Sequence, residues 1–302
     1  MIIGGTTDHR SREGGTMIYP VYSRRSGGLS IGVNLFPDKK ICSFDCPYCE
    51  VFPFETNIFF NLDTMKTSLQ SAILEAKEND IPIKDICFSG NGEPTMSPDF
   101  IAALNAAEAV RVKNAPEAKL VVLTNGSGLL NNELFEFLKS AAGKEPRQTA
   151  LEPDLTEDAC EPTNLVIWLK LDAATEAWYQ TINRSGIPLN TLLSCIRSFA
   201  AAPAPFIVQT MICTINGVLP PQEESAAWVN LVTELALLST AANRPARRGE
   251  AELKEVHIYG KARAAENDPL AEAVPVEVLE ERAALLRLTF RKTGINVPVL
   301  VF

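Results

Sequence analysis

Short apolar runs alternate with segments of helical period about six times along the 302 residues, and this rhythm constrains the fold more than any other feature. Residues 29–35, 85–89, 119–124, 165–171, 206–213 and 256–259 read as strands, and 297–302 as a last one. Between them, 63–79, 98–110, 131–140, 174–182, 189–200, 222–239 and 276–293 read as helices. Asp63 is the expected cap of the first helix and Ser97 that of the second, with Pro98 at its first position. Strand–helix alternation implies right-handed crossovers and parallel strands. Six units are fewer than the eight that close a full barrel. The predicted fold class is therefore α/β, a partial (β/α)6 TIM-like barrel of parallel strands. It is expected to be open at a lateral cleft, with ligands at the carboxyl ends of the strands. A single domain over 18–302 is expected behind a flexible arm at 1–17, with polar surface segments at about 143–163 and 240–252.

The chemistry concentrates after the first strand. Residues 41–50 read ICSFDCPYCE, placing Cys42, Cys46 and Cys49 in a C-x3-C-x2-C spacing. Thiolates are soft ligands that suit iron–sulfur clusters and zinc. A four-iron cubane takes four cysteines when it is closed; three on one tight loop leave one iron open, and an open position separates a catalytic metal site from a structural one. A zinc knot or a few buried thiols is the competing reading. Zinc sites pair two C-x2-C halves, and here Cys87, Cys160, Cys195 and Cys213 stand singly. A disulfide framework does not suit a chain of this size and cysteine density.

Further motifs fall at the expected strand ends. GNGEPT at 90–95 follows the second strand; it reads as a ligand-approaching backbone or as an ordinary turn. Asn125-Gly126 ends the third strand. In WLKLD, Trp168, Lys170 and Asp172 share one face of the fourth strand, so Lys170 and Asp172 either pair with each other or address a ligand. Gln209 points inward from the fifth strand, toward an adenosine or substrate pocket or as a satisfied core amide. His257 and Tyr259 share a face of the sixth, where a lone histidine reads as structural. Cys195 and Cys213 read as small buried hydrophobes.

The spacing C-x3-C-x2-C with Tyr48 before its last cysteine resembles the signature of the radical S-adenosylmethionine (SAM) superfamily, and GNGEPT resembles that family's GGEP segment. Within it, SRRSGGLSIGVNLFPDKKICSFDCPYCE with FSGNGEPT, LTNG and KLDA is similar to the wyosine-synthase-like branch of Fe–S oxidoreductases, over roughly residues 19–213. The resemblance implies one [4Fe–4S] cluster on Cys42, Cys46 and Cys49, with S-adenosyl-L-methionine on its open iron. Reductive cleavage would give a 5′-deoxyadenosyl radical that abstracts hydrogen from a substrate. It implies that Tyr48 packs near the adenine, that Gly90, Gly92 and Glu93 address the methionine amino group, and that Asn125, Lys170, Asp172 and Gln209 complete the site. A reductant such as flavodoxin or ferredoxin is the implied partner. Wyosine synthases act on tRNA and carry extra N-terminal cysteines for a second cluster. This chain has no cysteine before Cys42, so the resemblance speaks for the chemistry more than for a tRNA substrate. The alternative is a non-enzymatic iron–sulfur or zinc protein that transfers electrons or binds a partner.

The formal charge of −9 argues against a broad polyanion footprint and leaves a tRNA base, a peptide or a small metabolite as substrate classes. Arg24, Arg25, Lys39 and Lys40 are the exception, expected to cluster near the cysteine loop as a solvated surface or a polyanion contact. There is no run of about 18 apolar residues and no signal-like start, and the unpaired cysteines point to a cytoplasmic location.

Overall fold

In the computed structural model, residues 16–51, 53–144, 162–241, 251–262 and 270–302 are described. The expected arm at 1–17 falls largely outside them, as do most of the expected surface segments at 143–163 and 240–252. The strands are β1 (Ile18–Ser23), β2 (Gly28–Val33), β3 (Ile83–Phe88), β4 (Lys119–Thr124), β5 (Leu165–Lys170), β6 (Phe206–Ile212), β7 (Thr214–Ile215), β8 (Leu253–Gly260), β9 (Ala271–Glu272) and β10 (Val299–Val301). The helices are α1 (Leu62–Glu78), α2 (Phe100–Asn114), α3 (Asn132–Ala142), α4 (Glu176–Ile182), α5 (Leu189–Ala200), α6 (Gln222–Ala241) and α7 (Val276–Thr293). Eight strands form one sheet in the order β1-β2-β3-β4-β5-β6-β8-β10, and β7 and β9 pair separately. The α/β class and the mostly parallel sheet are those expected.

The chain divides into two compact units. Among the described residues, the first comprises 16–42, 53–124, 140–144 and 162–167. In it β2, β3 and β4 run parallel. Ile31, Val33, Ile86, Phe88, Leu120 and Val122 are fully buried, and so are Met65, Leu69 and Ile73 of α1 and Leu104 of α2. Phe88 meets Phe100 edge-to-face, with ring centroids 6.1 Å apart. Strand β1 went unread in the sequence. It pairs antiparallel with β2 at the sheet edge, where Pro20 is tolerated. The sequence also misplaced two caps. Asn61, not Asp63, caps α1 by accepting from the Thr64 amide. Helix α2 starts at Phe100, because Pro94–Met96 forms a separate 3-10 turn and Ser97 closes it.

One polar cluster is buried here. Glu108 and Arg111, one helical turn apart on α2, pair at 2.7 Å. Arg111 also donates to the carbonyls of Pro116 and Ala118, and Glu108 accepts from the Thr163 amide and hydroxyl. Arg24 and Arg25 lie in the turn between β1 and β2. That is the end of β2 opposite the cysteine loop, roughly 20 Å of strand away. The expected four-residue basic cluster is therefore not formed. Arg25 acts instead on Asp85 and Cys87.

Among the described residues, the second unit comprises 43–51, 125–139, 168–241, 251–262 and 270–302. Its β6, β8 and β10 are parallel. Its outer core joins Val208, Val256 and Ile258 to Ile196, Phe199, Trp228, Leu235, Leu286 and Phe290 of α5, α6 and α7, all buried. Trp228 fixes this layer by donating to Thr210 Oγ1 and the Leu171 carbonyl, both at 3.1 Å. No helix among the described residues is long and apolar enough to cross a membrane.

Breaking the buried pair of the first unit tests this packing. Arg111→Leu leaves Glu108 as an uncompensated buried charge and should cost about 3–5 kcal/mol in chemical denaturation. The Glu108→Leu/Arg111→Leu double substitution should cost less than the sum of the two single ones.

Candidate active site

The glycine segment of the first unit holds the entrance to the cysteine loop. Ile41 donates to the Asn91 carbonyl at 3.1 Å and accepts from the Glu93 amide at 2.8 Å, forming a parallel bridge between Ile41 and Gly92. A Cβ on Gly92 would sit 1.8 Å from the Ile41 carbonyl oxygen, and its φ is +152°. Gly90, at φ +116°, lies against Asn34. Asn34 Oδ1 receives the Asn91 amide at 3.1 Å, and Asn91 donates to the Phe36 carbonyl at 3.0 Å. The glycines thus let two backbone segments touch, beside Cys42. Glu93 is buried and accepts through Oε1 from Thr95 Oγ1 at 2.6 Å and Thr124 Oγ1 at 2.7 Å, which ties the segment to the end of β4.

The second unit carries the rest of the loop. Asn125 donates to Ser43 Oγ at 3.0 Å, and Ser43 donates to Ser127 at 2.8 Å. The Asp45 amide donates to the Asn183 carbonyl at 2.9 Å. Cys49 closes a turn onto the Cys46 carbonyl at 3.0 Å. Tyr48 donates its hydroxyl to Asp172 Oδ2. The same oxygen accepts from Asn183 Nδ2 at 3.1 Å, while Oδ1 accepts from Lys170 Nζ at 3.1 Å and from the Met211 amide at 2.8 Å. These four donors match the lone-pair capacity of a carboxylate. Lys170 and Asp172 do pair with each other. The Lys170 ammonium also donates to the Tyr259 hydroxyl and lies 4.9 Å from the ring centres of both Tyr48 and Tyr259, a cation held between two π faces.

Gln209 is fully buried one pleat lower and sits 3.2 Å from His257 Nδ1. His257 Nε2 is 2.6 Å from Glu255, and Trp168 and Phe302 pack edge-on against the imidazole. The arrangement holds Gln209 in a buried polar pair with His257.

Burial, and then the Asp172 charge, push the Cys46 thiol up to about 12 and hold the Tyr48 phenol well above its ordinary range. Burial disfavours the Lys170 ammonium, but Asp172 and Tyr259 outweigh it and raise its pKa. The described site is thus neutral at both Cys46 and Tyr48 and cationic at Lys170.

Sequence reasoning missed Asn183 and Ser185. Asn183 ends α4 and sits within reach of Cys46 Sγ at 3.4 Å; Ser185 donates to the Ser43 carbonyl at 3.1 Å. Neither carries a motif or a period that would have marked it.

The donor chemistry fits an iron–sulfur cluster. Cys42, Cys46 and Cys49 are in no disulfide and are partly accessible, on one continuous loop. Among the described residues no three His, Cys, Asp or Glu side chains are gathered around a single ion. A zinc ion needs its sulfurs at about 2.3 Å; a four-iron cubane is a larger body and spreads its ligands.

No family model matches the chain. The fold is nevertheless shared with solved structures of low sequence identity. SuiB of Streptococcus suis, in a structure bound to S-adenosylmethionine, is 12% identical with a TM-score of 0.58 over 90% of this chain and 50% of its own. Spore photoproduct lyase, with a dinucleoside spore photoproduct, is 12% identical with a TM-score of 0.56 over 94% of this chain and 79% of its own. Among curated proteins, UPF0026 proteins of Helicobacter pylori are 31% identical over 124 residues, and one of Methanocaldococcus jannaschii is 31% identical over 127. The match covers 40% of this chain and 38% of the length of the H. pylori relatives.

Two outcomes check this geometry. Gly92→Ala should destabilise the protein by about 3 kcal/mol, because a backbone carbonyl must move, whereas Gly27→Ala, with open space around it, should cost about 1 kcal/mol. In the metal-free protein, Cys46, Tyr48 and Lys170 all keep their protons to higher pH folded than unfolded. Their contribution is present below the unfolded values and fades as pH rises through the folded ones. Unfolding free energy should therefore fall above about pH 9, by about 1.4 kcal/mol per pH unit for each proton retained, and Cys46→Ala should flatten that slope.

Proposed function

We propose that this protein is a radical SAM enzyme. Cys42, Cys46 and Cys49 hold one [4Fe–4S] cluster, with S-adenosylmethionine on its open iron. When bound, the pair would supply reductive cleavage of the sulfonium and, through it, hydrogen-atom abstraction from a substrate. A reductant such as flavodoxin or ferredoxin delivers the electron.

The observation that carries the reading is the coupling of Tyr48 to Asp172. The aromatic inside the cysteine motif is not a loop residue free to turn. Its hydroxyl is bound to a buried carboxylate and its ring faces Lys170, so one ring face is committed and the side chain has a fixed pose. Such a ring gives a rigid platform for an adenine at little further entropic cost. Asp172 spends its acceptor capacity on protein donors, so its role is to orient Tyr48 and Lys170. The Lys170 ammonium has a third N–H and a net positive charge, suited to the methionine carboxylate. Gly90, Gly92 and Glu93 form the backbone beside Cys42 that takes the amino end, and Asn125 orders the loop through Ser43. Gln209 lies one layer deeper and shapes the floor through His257.

The substrate class stays broad: a tRNA base, a peptide or a small metabolite. SuiB is seen with the precursor peptide SuiA and spore photoproduct lyase with a dinucleoside, so this fold alone does not select among them. The acidic charge weighs against a large nucleic-acid footprint.

Reconstitution with iron and sulfide without oxygen, chemical reduction and addition of S-adenosylmethionine should yield 5′-deoxyadenosine. Cys46→Ala should abolish it, and Tyr48→Ala should lower it at least tenfold while leaving bound iron near the wild-type level. Equal formation by the Cys46→Ala protein would refute the reading.

A further inference from the structure

The side chain of Asn183 lies between two parts of the site that the proposed function uses separately. Its Nδ2 is 3.1 Å from Asp172 Oδ2 and 3.4 Å from Cys46 Sγ. Asn183 is only 2% exposed. Its backbone is fixed at both ends, with the amide donating to the Tyr179 carbonyl and the carbonyl accepting from the Asp45 amide, each at 2.9 Å. The chain segment bearing Cys46 is therefore clipped to Asn183 twice, once through backbone and once through the side chain.

Chemistry fixes which way the amide faces. Asn offers an oxygen acceptor on one side and two N–H donors on the other. Turned over, it would set its oxygen against the Asp172 carboxylate, whose oxygens also only accept. Asp172 cannot turn to relieve this, because Tyr48, Lys170 and the Met211 amide hold it. So the NH2 group faces Asp172, and its second N–H is left for the sulfur.

We propose that Asn183 is a positioning residue that donates an N–H···S hydrogen bond to the Cys46 ligand and thereby raises the reduction potential of the cluster. This rests on the reading that Cys46 ligates a [4Fe–4S] cluster. The potential of such a cluster responds to its net charge, its solvent exposure and the hydrogen bonds to its sulfurs. Reduction adds negative charge, part of which falls on the ligand sulfurs. A donor aimed at one of them stabilises the reduced state more than the oxidised one. The nearby Asp172 charge works the other way, and Asn183 stands between the two. The pair lets the protein keep a buried carboxylate, which Tyr48 and Lys170 need, next to a ligand that must accept electron density.

The test is a redox titration of the reconstituted cluster, read by the spin-resonance signal of the reduced form in the absence of S-adenosylmethionine. Asn183→Leu is close in shape, keeps the backbone bonds and removes the N–H donors to both Cys46 and Asp172, and the loss at each lowers the potential. At a fixed solution potential, the ratio of reduced to oxidised cluster should fall about tenfold, a shift of 59 mV for a one-electron couple. Asn190→Leu, an exposed helix substitution far from the loop in sequence, should leave the ratio unchanged. An unchanged ratio in Asn183→Leu with full iron and sulfide content would overturn the proposal. Should that variant fail to hold a cluster, wild-type protein labelled with 15N-asparagine decides. A weak nitrogen coupling to the reduced cluster is expected, and its absence refutes the hydrogen bond. A wild-type chain that binds no iron and sulfide would instead remove the functional reading, and this inference with it.

Discussion

The Asp172 carboxylate accepts from Tyr48, Asn183, Lys170 and the Met211 amide, which come from the cysteine loop, the end of α4, strand β5 and strand β6. Four donors on one buried anion are costly to assemble and strong once assembled, because an unpaired charge at this depth would cost several kcal/mol. The arrangement is also directional. Each donor has a single place to sit, so the carboxylate fixes the pose of the tyrosine inside the cysteine motif and the orientation of the amide next to Cys46. Lys170 balances the charge and fills the gap between two aromatic rings. Function, as proposed here, is built on this group; no loop residue needs to find its geometry by chance.

The first unit solves a different problem, bringing two backbones into contact. The Ile41–Gly92 bridge leaves no room for a side chain, so glycine is required there by space as well as by φ. Glu93 then ties that segment to Thr124 at the end of β4. The same residues that resemble a ligand-binding signature thus have a structural task in the protein itself. A glycine retained for close approach serves both, since the backbone that touches Ile41 is the backbone a ligand would meet.

Much of this was legible in the sequence. Strands covered on both faces read as short apolar runs, and α5 and α7 fell on their observed bounds because their apolar spacing is regular. The cysteine spacing and the position of GNGEPT after a strand marked the two segments that the Ile41–Gly92 bridge joins. What could not be read had physical reasons. Strand β1 carries Pro20 and a mixed pattern, as an edge strand paired on one side tolerates. Asn61 outcompeted Asp63 as a cap, so the helix starts two positions earlier than Asp63 would have set it. The distance of Arg24 and Arg25 from the loop depended on β2 lying between them, so closeness in sequence misled. Glu108 and Arg111 carried no mark of burial in the sequence, and Thr163, 55 residues on, is one of the partners that satisfy them. Asn183 meets Cys46 across 137 residues of chain, a contact no local pattern encodes.

Lys170 and Asp172 illustrate the boundary well. Their alternation on one strand face showed that they point the same way, and burial showed that they need partners. That they take each other, with Tyr48 and Tyr259, follows only from the fold. The central claim, that the loop at 42–49 holds a four-iron cluster with an open iron, is tested most directly by iron and sulfide analysis with Mössbauer spectroscopy of the protein reconstituted without oxygen. The account predicts about four iron and four sulfide per chain, with one iron site whose spectrum changes when S-adenosylmethionine is added. Zinc without sulfide, or a cluster whose four irons are all indifferent to S-adenosylmethionine, would contradict it.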